Sequence, residues 1–366
     1  MRIDSTKLML WGGILFTVVM AIGQESRKEW VLKTSDVPDM LQFTIRRFKP
    51  GSTWSNSNMV PRSRFQGLSI DTLEDGGKAN FDYVMDAGTL RCSGSFMLGR
   101  GSGDYTFVPN RQFVSELRTL GYDAPDEEQQ FAMLMSNVSL DFARGVKDAG
   151  LQASTQELID LRNHGVNLDY IRETHDAGYR NLYARDYIQL RDHGVRTDYL
   201  RDLKTYGFNL SVHEVVQLRD HGVPSEFIRD LKAGGYDVTA DRITELRDHG
   251  VSSEYMRELK DYGLKPAANE LVQLRDHGVT PEYLKGLKDA GYGSLRANDI
   301  VRLRDHGVDT NFAREAKAMG YDFTPEQMTH LRDCGVNERY LQTLRGAGMR
   351  NLTAEQIAKL KMHGVD

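Results

Sequence analysis

Seven histidines fall at one recurring position, His164, His193, His221, His249, His277, His306 and His363, and Cys334 fills the eighth. Imidazole and thiolate hold zinc, so such a column raises metal binding first. A zinc site needs three or four converging ligands, whereas neighbouring helices, about 8–10 Å apart, let a ladder bring two side chains together. The residue-level reading is therefore structural. Each histidine stands at a helix C-cap, beside unpaired carbonyls at the negative end of the dipole, where even partial protonation is favourable. No metal and no other cofactor is expected.

Two further motifs fail on context. His213-Glu214-Val215-Val216 opens like a zinc-protease helix, but Gln217 stands where the second histidine belongs, and Glu214 fits a capping box with Ser211. Gly99-Arg100-Gly101-Ser102-Gly103 reads as a tight turn joining strand to strand, so no helix N-terminus is at hand for a phosphate.

Each histidine ends a tripeptide, and this recurring edge is the candidate binding surface: Arg191-Asp192-His193, Arg219-Asp220-His221, Arg247-Asp248-His249, Arg275-Asp276-His277 and Arg304-Asp305-His306. Its donors and acceptors suit an acidic polymer or a polar protein face. An array copied by internal duplication would look as uniform with no function at that edge. The aspartates stand in the last turn of a helix, where negative charge is disfavoured. Each is expected to accept from an arginine of an adjacent unit, Arg219, Arg247, Arg275 or Arg304, or to cap the amides opening the following helix.

The elements that carry these residues follow from spacing. The hexapeptide Leu246-Arg247-Asp248-His249-Gly250-Val251 recurs from Leu161 onward at steps of 28 or 29 residues, the signature of a stacked array. Its glycine fits the left-handed position after a helix, with Val251 folding back on Leu246 as in a Schellman motif. A weaker copy of the ending follows at Leu259 to Leu264, so each unit is a pair of short helices. Asn137 takes the glycine place in an early, degenerate unit. Capping boxes are expected at Ser211, Thr324 and Thr353, and an N-cap at Thr280. The core stripe is Ile243, Leu246, Tyr255, Met256 and Leu259.

From about Glu25 to Pro109 the pattern instead has period two: Leu41, Phe43 and Ile45; Phe81 and Tyr83; Leu90 to Leu98; Tyr105 and Phe107. Gly76-Gly77 is a turn, and Pro50-Gly51 to Pro61 reads as a long loop carrying Trp54. The fold class is α+β, a small β domain followed by a helical-hairpin solenoid of about nine units of ~28 residues.

Residues 1–23 carry a basic start, an apolar run from Leu8 to Ile22 and small residues before Gln24, which reads as a secretory signal peptide. The run is shorter than a comfortable bilayer span, favouring cleavage over a retained anchor. The division is then residues 1–23 signal, 24–110 β domain and 111–366 helical repeats, with no membrane span after cleavage. Net charge is −5 across 366 residues, giving no reason to expect a nucleic-acid partner. Cys92 and Cys334 are too few for a disulfide framework and read as unpaired thiols, a bridge between them being the alternative.

Together with Asp86-Ala87-Gly88-Thr89 and Gly101-Ser102-Gly103-Asp104-Tyr105-Thr106-Phe107-Val108-Pro109-Asn110, the Leu-Arg-Asp-His-Gly-Val repeat resembles the exported repeat region of bacterial envelope proteins. Some of these resemble beta-lactam-sensor-type membrane metallopeptidases. The likeness covers about 80 to 366 and lacks the zinc-peptidase motif and membrane helices. It implies an exported accessory part, periplasmic or attached to the envelope. The expected function is a non-enzymatic binding or scaffold module for a protein or wall polymer. The alternative is a metal-binding protein or hydrolase using the histidine column or a β-domain cleft, which would need converging titratable groups.

Overall fold

Alternation of apolar and polar residues produces an antiparallel sheet in the computed structural model, which describes residues 27–49 and 51–365. The expected signal segment lies outside the described residues. The strands are β1 (Arg27–Thr34), β2 (Met40–Lys49), β3 (Ser52–Pro61), β4 (Phe65–Gln66), β5 (Gly77–Met85), β6 (Gly88–Met97) and β7 (Arg100–Pro109). Their order in the sheet is β3-β2-β1-β7-β6-β5-β4. Inward residues make an aromatic core. Trp30 meets Phe81 edge-on at 4.8 Å, and Phe43 meets Phe65 edge-on at 5.1 Å although β2 and β4 are far apart in strand order, so the sheet coils strongly. The short helix α1 (Ile70–Glu74) adds Leu73 to this core.

Three expectations for this region are corrected. The segment read as a loop is strand β3, paired with β2 from Lys49↔Ser52 to Met40↔Pro61. It is an edge strand with polar side chains on both faces, so burial never imposed the alternation that marks a strand. Leu98 is not part of the inward row. It is 89% exposed at φ 49° and, with Gly99 at φ 71°, forms the two-residue turn between β6 and β7. Gly101 and Gly103 lie inside β7 rather than in a turn. A Cβ on Gly103 would stand 1.9 Å from the Ser93 carbonyl, and one on Gly101 would stand 2.6 Å from the Phe96 ring. These glycines let strands and rings approach closely.

Eighteen helices follow from Arg111 among the described residues, nearly all nine residues long. Helices so short are marginal alone and hold by stacking. First helices stack on first helices, Val212–Asp220 on Ala240–Asp248 and then Ala268–Asp276, and second helices do likewise. Ile243, Leu246, Tyr255 and Leu259 are buried as expected, whereas Met256 is only half-buried.

The stop signal is physical and regular. Gly250 sits at φ 72°, Val251 N–H donates to Leu246 O at 2.9 Å, and Gly250 N–H donates to Arg247 O at 2.9 Å, the paired bonds of a Schellman motif. Asn137 repeats it at φ 55°, with Val138 N–H donating to Met133 O. Capping boxes form at Ser211, Thr324 and Thr353, and Thr280 accepts from Tyr283 N–H.

Contacts divide the chain into two compact units. One holds the sheet and residues to 173 with 180–188; the other holds 174–179 with 189–366. Within the first, α2 (Arg111–Thr119) and α3 (Glu127–Met135) join the helices to the sheet. Gln130, buried in α3, donates to Ala87 O and Asn110 O, Asn110 caps α2, and Asp86 accepts from Leu140 N–H. The segments around Asp86 and Asn110 are thus the seam between sheet and repeats. No helix among the described residues is long and apolar enough to cross a membrane.

Candidate functional site

Stacking puts the C-cap of one first helix beside the last turn of the next, and the Arg-Asp-His tripeptides meet there. His193 Nδ1 lies 2.7 Å from Asp220, His221 2.9 Å from Asp248, His249 2.7 Å from Asp276, His277 2.7 Å from Asp305 and His306 2.7 Å from Asp333. An ionised carboxylate only accepts, so each Nδ1 carries the proton, and Nε2 is the remaining polar atom of each ring. The histidine side chains are 40–42% exposed. This is an ordered row of five imidazoles with one tautomer fixed along its length.

The expected partner of the aspartates is therefore corrected: histidine of the preceding unit, not arginine, offsets their charge. The arginines do another job. Arg219, Arg275 and Arg304 each donate Nε to the carbonyl of the preceding unit's glycine, Gly194, Gly250 and Gly278, at 3.3, 2.9 and 3.1 Å. Arg275 and Arg304 also lie 5.0 and 5.1 Å over the Tyr255 and Tyr283 rings. Those tyrosines in turn donate to Val279 O and Val308 O of the next unit. All candidate edge residues from Arg191 to His306 are exposed except Arg247, which is half-buried.

Asp276 raises the pKa of His249, chiefly through the hydrogen bond. Burial pushes Tyr255 and Tyr262 up to about 12 and holds the Cys92 thiol high and unreactive, while the backbone and side-chain hydrogen bonds of the Ser211 capping box hold the Glu214 carboxyl below its ordinary value. Both cysteines are unpaired. No group of three or more His, Cys, Asp or Glu side chains converges as a metal site among the described residues.

Sequence reasoning missed the His–Asp pairing, although a signal was present. Register places Ser136 and Asn163 at the equivalent positions in the first unit, and Ser136 Oγ is 2.6 Å from Asn163 Oδ1. At the other end the equivalent positions are Cys334 and Met362. Both members change together, ionic with ionic and neutral with neutral.

No protein-family model matches the chain, and no curated protein matches it.

Proposed function

We propose that the chain is a non-enzymatic, exported binding or scaffold module of the bacterial cell envelope, in the manner of an accessory sensor part. Its binding edge is the row of fixed imidazoles between His193 and His306, and its partner is a wall polymer or a polar protein face. The observation that carries this reading is the pre-organisation of the row. Five half-exposed rings are held in one tautomer by carboxylates 2.7–2.9 Å away, so a ligand meeting them orders little that is not already ordered. Each Nε2 accepts when the ring is neutral and donates when it is protonated, which suits polar and acidic partners.

The test separates the row's surface from its structural job. Asn at these five histidine positions keeps a donor near Nδ1 for the aspartate and removes Nε2. The fivefold variant is compared with the parent for co-sedimentation with purified sacculi and envelope membranes, after matched urea melts. The reading expects the parent to sediment and the variant to lose most of that retention. Equal retention, or a parent that stays in the supernatant, overturns it.

A further inference from the structure

The sheet unit holds a second feature, built where the first repeat helices meet strand β3. A cleft of about 440 Å³ opens between β3, the Arg62–Arg64 turn, the end of α3 and the helix Thr155–Asn163. Its polar lining includes Asn56, Asn58, Arg64, Ser136, Arg162 and Asn163. No carboxylate lines it, and among the described residues neither Arg64 nor Arg162 forms an ion pair. Two guanidiniums beside one cleft without a counter-charge are an unbalanced arrangement in a chain that carries more acids than bases.

Arg162 is the more constrained of the two. It stands at the position of Arg275 and Arg304 in the repeat and lies 5.2 Å over the Phe142 ring as they lie over tyrosines, but unlike theirs its Nε is buried with no hydrogen-bond partner, and burial draws its pKa down. Arg64 stands close enough to oppose the effect of burial on Tyr83 across the cleft wall. Amides supply the rest. Asn58 donates to Asn56 Oδ1 at 2.6 Å and Ser136 pairs with Asn163 Oδ1, which fixes these side chains and leaves amide donors and acceptors for hydroxyl groups. Met59 and Met135 add adaptable apolar wall, fit for the carbon face of a ring.

We propose that this cleft binds a small saccharide bearing a carboxylate, the acid facing Arg64 and Arg162 and the hydroxyls facing the asparagines. The volume is at the small end of ligand sites and suits one or two sugar rings. Guanidinium forks match carboxylates in plane, and side-chain amides match vicinal hydroxyls, so charge and frame are both recognised. This inference does not rest on the histidine row, which lies elsewhere in the chain.

The experiment is calorimetric titration of the full chain with glucuronate, digalacturonate, glucose and a tetraglutamate peptide at low ionic strength. Saturable binding of a uronate is expected, at least tenfold tighter than glucose. Arg64→Gln, at an exposed position, should weaken it about tenfold with an unchanged urea midpoint. Arg162→Gln should abolish it, though that variant also disturbs the Phe142 contact. Uronate binding that is absent, matched by glucose, or indifferent to Arg64→Gln overturns the proposal. Tighter binding of the peptide than of either uronate overturns the saccharide assignment.

Discussion

At the scale of single residues, the informative object is the pair His249 and Asp276, 27 positions apart and 2.7 Å from each other. The hydrogen bond raises the histidine pKa above its unfolded value, so folding favours the protonated ring. That stabilisation is fully present below the unfolded pKa and is lost as pH rises through the folded one. Asp276→Asn should therefore cost stability near pH 6 and little near pH 9, read as the difference in urea midpoint from the parent. A difference constant across that range would deny the pair any ionic character. The C-cap placement of histidine was legible in sequence because glycine and valine fix the Schellman register. Its partner was not, since arginine and histidine recur at the same period as the aspartate and periodicity cannot rank two donors that repeat in step.

Elements divided along a similar line. Helix ends were legible because each is written in local chemistry: Ser211 accepting from Glu214 N–H with Glu214 returning to Ser211 N–H, and Gly250 forced into a left-handed backbone. Strand β3 was not, because Ser-Thr-Trp-Ser-Asn-Ser-Asn has no buried face to betray its period. The glycine run was misleading for a related reason. Glycine reports either a turn or a close approach, and only the partner strand tells which. Gly103 faces Gly94 across the β6–β7 ladder, and any Cβ there meets backbone atoms of Ser93 and Gly94. Gly103→Ala is accordingly expected to destabilise the sheet by about 2 kcal/mol, in the range of overpacked cores. Gly51→Ala, where a Cβ meets nothing within 4 Å, should cost less despite its positive φ of 78°. Thermal melts followed by tryptophan fluorescence would distinguish the two, and equal losses would return the run to a turn.

At the scale of the whole molecule, the repeat is a set of interchangeable staples, and its last step offers a direct test of that view. The helices Pro325–Asp333 and Ala354–Met362 pack on each other as the earlier first helices do, but Cys334 and Met362 stand where histidine and aspartate would. Met362→Asp alone puts a negative charge in the last turn of a helix and should destabilise the terminal unit. Cys334→His alone gains no partner and should be close to neutral. Combined, the two substitutions rebuild the bridge seen between His306 and Asp333, so the double variant should regain what the aspartate cost. The measurement is a double-mutant cycle on urea midpoints at pH 6 and pH 9, with hydrogen exchange in Ala354–Met362 as the local readout. Positive coupling, larger at the lower pH and confined to the terminal units, is the expected result, because only neighbours in a stacked array share energy. Strict additivity at both pH values would mean that the histidine and aspartate columns coincide by duplication without holding the units together.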